Sequence, residues 1–377
     1  MKIHRIRAVA RKEFLHVIRD PRSLGMGIAI PLLLLFLFGY ALTLDVDRVS
    51  LIVWDQDNTP TSRDFLSRFT GSRYFSLHAP ATNYRDIEHA IDTRNALVAI
   101  VIPHDFTGRL DSGRDAPVQV LVDGTDSNTA TIALGYAEAV AGEWSRSVVL
   151  KQALRGGERP LPQLVDLRPR IWYNSDMASK NYIFPGLIAV IMMVITALLT
   201  SLTVAREWET GTMEQLISTP LQGPEIIIGK LVPYFVIGLL DLLLSVLVGR
   251  FLFDVPLRGS LWLLTGLSVI FLISALSIGM LISIVTKSQL LASQLALVAT
   301  MLPSFLLSGF MFPIENMPPP LQVMTHIISA RYLVIILRGI YLKDVGLDVL
   351  YGEAAVLTLF GGVVITLAIL KFRKKIT

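Results

Sequence analysis

The sequence predicts an α-helical polytopic membrane protein with six transmembrane helices and one inserted extracytoplasmic α/β domain, and three observations carry that reading. Apolar residues make up 53% of the 377-residue chain against 17% charged, with a mean hydropathy of +0.58, well above an ordinary globular mixture. Six long runs are almost free of charge. One block, residues 45–180, has instead the mixed charge and short apolar runs of a water-soluble domain.

Composition also excludes several function classes. The net charge of +4 does not call for nucleic acid, because the basic residues sit beside apolar spans, where anionic membrane lipids account for them. Without cysteine there are no disulfides, thiolate metal sites or cysteine nucleophiles. The six histidines show no paired metal-ligand spacing.

Residues 1–22 carry seven Lys or Arg, and Ile3, Ile6, Val9, Ala10, Phe14 and Val17 recur at helical spacing. That pattern describes a basic amphipathic helix in the membrane interface, broken at Asp20-Pro21. Residues 23–44 hold no charge and form the first span, long enough for a hydrocarbon core of about 30 Å, with Pro31 expected to kink it.

Within 45–180, Leu51–Trp54, Ala96–Ile102 and Val118–Val122 are short apolar runs of the kind that make buried strands, with Tyr74–Leu77 as a fourth. Thr61–Phe69 and Tyr84–Arg94 read as amphipathic helices between them, so the alternation predicts a layered sheet with helices packed on it. Asp126 or Ser127 caps a longer helix to about Leu154, and Gly156-Gly157 through Pro162 reads as a linker. Asp55, Asp57, Asp123 and Asp126 lie beside strand ends, where aspartate makes turns and caps far more often than it holds a cation.

The remaining spans are 181–205, 231–249, 259–285, 290–314 and 350–370, followed by a basic tail, 371–377. Six spans put both termini on one side. The segments on that side, 1–22, 206–230, 286–289 and 371–377, hold 14 basic residues, against five in 250–258 and 315–349. The positive-inside rule therefore places both termini in the cytoplasm and 45–180 outside. Residues 315–349 turn apolar after Met317-Pro318-Pro319-Pro320, but Arg331, Arg338 and Lys343 argue against another crossing, leaving interfacial helices or a re-entrant hairpin.

Between the second and third spans lies a charged, punctuated stretch, Arg206 to Pro220. Thr212 and Gln215 have capping-box spacing, which predicts a short helix with Met213, Leu216 and Ile217 on one face. Pro220 stops it, and Pro224 with Glu225 opens the next helix. The same residues also suit an ordinary capped loop.

Placed inside the cell, Glu207-x-Glu209-x-Gly211-Thr212-x-Glu214-x-Leu216-x-x-Thr219-Pro220 resembles the signature segment of ABC-2-type transporter permeases. Pro313-Ile-Glu315-Asn316-Met317-Pro318 with Arg331-Tyr332 downstream resembles that family's extracytoplasmic segment, although Ser329-Ala330 replaces the proline expected before Arg-Tyr. The resemblance covers essentially the whole chain. It implies a type V exporter-like half-transporter that pairs with a second permease, as homodimer or heterodimer, and with a separate ABC ATPase subunit carrying ATP and Mg. It also implies that Glu207, Glu209, Gly211, Thr212, Glu214 and Leu216 contact that ATPase, the carboxylates engaging basic residues and the apolar face seating in a groove. A periplasmic adaptor is a further implied partner.

This chain has no Gly-x-x-x-x-Gly-Lys-Ser/Thr loop; its Gly229-Lys230 pair is followed by Leu231. It is therefore expected to be no enzyme itself and to bind no cofactor. The expected activity is export of amphipathic small molecules, with lipid, polysaccharide or sodium export by the same machinery, or a membrane sensor or scaffold, as alternatives. Met192, Met193, Phe305 and Met311 are candidates for a soft, apolar substrate path, although residues of this kind also pack spans together. Asp241 is an ionisable group within a span; a cationic substrate, a proton or a neighbouring span all remain open as its partner.

Overall fold

The computed structural model describes residues 2–41, 48–155, 172–174 and 178–372. The chain forms two compact units, Leu44–Pro169 and the remainder, Met1–Thr43 with Arg170–Thr377. The end of the first expected span at 42–44, the expected linker from Gly156 to Pro162, and the tail beyond Phe372 lie outside the described residues.

Helix α1, Ile3–Arg19, buries Val9 and Val17, leaves its basic residues largely outward, and ends where Asp20 turns extended. Helix α2, Pro21–Leu24, leads through a π-helical turn, Gly25–Ala29, into α3, Ile30–Ala41. Pro31 has no N–H to donate, and its ring crowds the carbonyl four residues back, at Gly27. The wide π turn just before it provides room for that ring.

The inserted unit is a four-stranded sheet of order β2-β1-β3-β4. Strands β1 (Val49–Asp55), β2 (Phe75–Pro80) and β3 (Val98–Ile102) are parallel, and β4 (Gln119–Val122) pairs antiparallel with β3. Helices α4 (Pro60–Thr70), α5 (Tyr84–Asp92), α6 (Phe106–Asp111) and α7 (Ser127–Arg155) connect and cover the strands. The period-2 alternation of a strand sorts its residues between two cores. Leu51 and Val53 meet Phe65, Phe69, Phe106 and Trp144 on one face. Ile52, with Ala99 and Val101, meets Ile87 and Ala90 of α5 on the other.

In the larger unit the chain continues through α8 (Ser179–Glu209), α9 (Thr212–Ser218), α10 (Gly223–Phe251), α11 (Leu261–Thr286) and α12 (Gln289–Leu307). It ends with α13 (Pro319–Thr325), α14 (Ser329–Arg338) and α15 (Leu347–Lys371). Among the described residues five helices, α8, α10, α11, α12 and α15, are long and apolar enough to cross a membrane. Gly25–Ala41 is a shorter apolar helix, where the first of six spans was expected. The protein is a polytopic helical membrane protein.

Helix α8 is the axis of this unit, with nearly every residue from Ile183 to Ala205 buried and with α3, α10, α11, α12 and α14 packed around it. At Gly279 the α11 backbone lies against α8, where a Cβ would come within 2.0 Å of Thr200 Oγ1. One turn further on, the Ser283 hydroxyl accepts from the Val204 and Ala205 N–H groups at 3.0 and 2.9 Å.

Two expectations need correction. The fifth span stops at Leu307 rather than reaching 314, because Gly309 adopts a left-handed φ of +81° and a 3-10 turn at Ile314–Asn316 follows. Nor does α14 lie along a surface, as the interfacial alternative for 315–349 expects: Leu333, Val334, Ile336 and Leu337 are buried, and the helix packs on α8, α11 and α15. It meets α13 at a bend of 86°, and the bent α13–α14 pair is compatible with the re-entrant alternative.

Candidate functional site

The end of α8, the turn after it and the start of α10 fold back together against α1. Glu207 sits in the last turn of α8 and is buried. It accepts from Lys12 Nζ of α1 at 2.8 Å and lies 2.9 Å from Lys230 Nζ of α10. Lys230, only 1% exposed, donates in turn to Glu13 of α1 at 2.7 Å. The cluster holds two cations and two anions; the three buried charges, Glu13, Glu207 and Lys230, compensate one another, with the exposed Lys12 completing the balance. Glu207 Oε2 has no hydrogen-bond partner among the described residues.

Further contacts frame this cluster. Arg206 Nη1 lies 3.4 Å from Asp20 Oδ2 and 2.7 Å from His16 Nε2. Glu225 accepts from the Lys2 and Gln222 backbone N–H groups at 2.7 and 3.0 Å, and Arg5 donates to the Pro220 carbonyl at 2.6 Å. At Gly229 a Cβ would meet Val9 Cβ at 2.7 Å, so α1 and α10 touch backbone to side chain. A helix that its composition assigns to an interface is thereby fastened to two spans.

Glu209 serves a different neighbour. Its carboxylate accepts from the Gln289 backbone N–H at 2.8 Å, Gln289 Nε2 at 2.6 Å and Ser288 Oγ at 3.0 Å. Gln289 is the first residue of α12, and Ser288 provides no side-chain cap of its own. The end of α8 thus satisfies the open N-terminus of α12, where a negative charge also meets the favourable end of the helix dipole. Lys287 lies 4.6 Å from the Trp208 ring and joins the same corner.

Glu207 and Glu209, both expected to engage basic residues of an ATPase, are engaged within the chain, Glu207 in a buried position and Glu209 at the surface. The capping box is corrected. Gly211, at a left-handed φ of +72°, is the N-cap of α9 and Thr212 is already helical; the Thr212 hydroxyl donates back to the Glu207 carbonyl at 3.5 Å. A left-handed cap favours a residue without Cβ. The apolar face of α9 also points inward, with Met213 buried and Leu216 and Ile217 packed on the span core. Glu214, Gln215 and Ser218 are what α9 exposes.

A family model described as ABC-2 family transporter protein matches residues 21–370. The chain belongs to that family. The probable multidrug ABC transporter permease YbhS of Escherichia coli K12 is 38% identical over 339 residues, covering 90% of this chain and 88% of its own. The probable multidrug ABC transporter permease YbhR of the same organism is 33% identical over 373 residues, covering 99% of each. The inner membrane transport permease YhhJ is 27% identical over 334 residues, covering 86% and 85%.

In this ABC-2 permease Met192 and Met193, two of the residues expected to line a substrate path, belong to the core cluster against which Phe305 packs. Met192 and Met193 are buried in the packing around α8, and Ser329 Oγ lies 3.5 Å from Met193 Sδ. They are core residues of the single chain, which removes them from an accessible surface. Phe305 packs with Phe38 and Phe310 at ring separations of 5.7 and 5.6 Å, while Met311 is exposed beyond the end of α12. Asp241 is 2% exposed, and its Oδ1 has no hydrogen-bond partner among the described residues. Among those residues no group of three or more His, Asp or Glu side chains is placed to hold a metal ion.

The segment Glu315-Asn316-Met317-Pro318 forms the turn into α13, where Gln322 Nε2 donates to the Met317 carbonyl at 2.9 Å. Arg331 donates to Thr325 Oγ1, and the Tyr332 hydroxyl donates to the His326 carbonyl at 2.9 Å. Together they brace the bend between α13 and α14. Arg338 is a residue whose role the sequence did not disclose. Its guanidinium donates to the Gly309 and Phe310 carbonyls at 2.8 and 3.1 Å and stacks 3.6 Å from the Tyr182 ring centroid. It ties down the segment just past the end of α12, a task for which a planar guanidinium is suited.

Proposed function

We propose that this chain is the membrane-spanning subunit of an ATP-driven exporter of amphipathic small molecules, engaged from the cytoplasm by a separate ABC ATPase at α1 and α9. The observation that carries the reading is the Lys12–Glu207–Lys230–Glu13 cluster, with Glu13, Glu207 and Lys230 buried and Lys12 at its exposed rim, joining α1, α8 and α10. A push on α1 or α9 is delivered to two spans at once, and through Glu209 to the start of a third, α12. Such a rigid junction is what a mechanical input from an ATPase requires, whereas an ordinary loop would absorb the motion.

In this reading both termini are cytoplasmic, the α/β unit is extracytoplasmic, ATP and Mg reside on the partner, and a second permease completes the pathway. The multidrug wording in the names of YbhS and YbhR supports drug-like cargo. Contact with the ATPase falls to side chains that α9 leaves outward, among them Glu214 and Gln215.

The chain purified from its own cells is expected to bring with it a protein bearing a phosphate-binding loop, whose ATP turnover rises with dyes or bile-like detergents. Glu214→Lys is expected to lower that recovery about tenfold or more, as loss of a close interfacial charge pair does, with an unchanged melting temperature. Recovery without any ATPase overturns the reading in favour of a sensor or scaffold. Stimulation by salt or lipid alone redirects the cargo.

A further inference from the structure

One buried acid stands apart from the cytoplasmic junction. Asp241, well inside α10, is 2% exposed, and its Oδ1 has no hydrogen-bond partner among the described residues. The elements packed on α10 are α1, α3 with the π turn before it, α8, α11 and α15, and among their described residues none brings a charge to that level. Helix α11 and the π turn contain no titratable residue, and α3 has only Tyr40, in its last turn. Those of α8 lie at its ends, Lys180 and Tyr182 at one and Arg206, Glu207 and Glu209 at the other. Helix α15 is similar, with Asp348, Tyr351 and Glu353 in its first turns and Lys371 at its close. Helix α1 brings its charges to the opening turns of α10, at Glu225 and Lys230. On α10 itself the nearest titratable groups are Tyr234, about two turns before Asp241, and Arg250, near the far end. An isolated carboxylate in such surroundings costs more than giving up its charge, so the group stays neutral by keeping a proton.

A second orphan lies at the same level. Ser268 of α11 is fully buried, and its hydroxyl has no partner among the described residues. The register comes from Gly238, where a Cβ would lie 2.7 Å from Leu272 of α11. Asp241 follows Gly238 by about 4.5 Å along α10, and Ser268 precedes Leu272 by about 6 Å along α11, at about 1.5 Å per residue. Since α10 and α11 are consecutive spans of opposite direction, both steps lead the same way. Each residue also shares a helix face with its reference position, so acid and hydroxyl sit on the α10–α11 seam.

We infer that Asp241 is a proton-binding site of the membrane unit, and that its proton holds the α10–α11 seam shut. When the helices part and water reaches the acid, its O–H bond breaks, the proton passes to water and the carboxylate is hydrated. The seam closes again only when a proton returns. Its closed form therefore binds one proton more than its open form, and opening becomes easier as pH rises. This latch does not rest on the export reading, because it serves a transporter and a sensor alike.

Infrared spectra of the full chain in lipid bilayers, at about pH 6 and so about two units above the ordinary aspartate value, test the proton directly. Wild type is expected to show the carbonyl stretch of a protonated carboxylic acid that Asp241→Asn lacks, and Ser268→Ala is expected to shift that band. Should Asp241→Asn fail to fold, Asp241→Glu is expected to keep the band at a displaced frequency. Backbone hydrogen exchange in α11 reads the latch. Between about pH 5 and about pH 7 the rate in wild type, relative to Asp241→Asn at the same pH, is expected to rise by up to about tenfold per unit. An acid that merely fills space gives a constant ratio. The inference is overturned by an acid band that neither substitution of Asp241 alters, by a band that Ser268→Ala leaves unmoved, or by an exchange ratio that does not change with pH.

Discussion

In the α/β unit, Asp55 accepts from Ser62 seven residues on, Asp86 from Thr82 four residues back and Asp123 from Thr125 two residues on. In the membrane unit, Glu13 meets Lys230 across 217 positions, Glu207 meets Lys12 across 195, and Glu209 meets Gln289 across 80. The first group shapes the turns in which its members sit; the second joins elements that the chain brings together only when folded. The Asp64 bond to Trp144, across 80 positions, and the Asp57 bond to Thr107, across 50, are exceptions in the α/β unit and tie α4 to α7 and the turn after β1 to α6. The contrast teaches that the same side chain serves as a local device in the α/β unit and as a long-range rivet in the membrane unit. There, burial of Glu13 and Glu207 makes an unpaired charge costly, and the exposed Glu209 instead satisfies an open helix end.

The largest effect is expected at the rivet. Lys230→Met leaves Glu13 and Glu207 buried without their shared cation, and should destabilise the membrane unit by about 3–5 kcal/mol, read as loss of monodisperse protein or a fall in melting temperature. Adding Glu13→Met restores charge balance and should recover much of that loss. If Lys230→Met alone melts like wild type, the cluster is not the junction described.

Glu209→Ala comes next, since α12 loses its acceptor from α8. Transport should fall about fivefold, the scale on which residues within a coupling network act, while association with the ATPase is kept. A parallel loss of association would make Glu209 part of the docking surface instead.

The smallest effect is a pH response confined to the α/β unit. Hydrogen bonds from the Thr82 backbone and hydroxyl hold the Asp86 carboxyl below its ordinary value, and those from Thr125 do the same for Asp123. A carboxyl whose folded value is depressed contributes stability above its unfolded pKa, near about 3.9, and loses it as pH falls through the folded value. Hydrogen exchange in this unit should therefore quicken modestly below about pH 4, and Asp123→Asn should flatten the response. An Asp123→Asn protein with an unaltered acid profile would remove that residue from the account.

Hydropathy and period were enough to read the spans and the strands, because a membrane span and a buried strand each leave a continuous local signal. Helix α6 was not visible, since six residues carry too little periodicity. The junction was illegible for a different reason. Pro224 and Glu225 mark where α10 opens, but nothing near Lys230 in sequence shows that this early turn of the helix is buried against Glu13 and Glu207. Arg338 likewise read as a charge opposing a further crossing, when its partners are two carbonyls freed at the end of α12.

Helix α12 is fastened near one end by Glu209 and just past the other by Arg338. Between those points its buried residues are Ala292, Ala296, Thr300 and Ser304, four apart and all small. Seams of small residues bring backbones close but carry no knobs to seat in opposing holes. Helix α12 is therefore held along its length by backbone proximity and by one polar tie near each end, leaving its outer face of leucines free of the packing that fixes it.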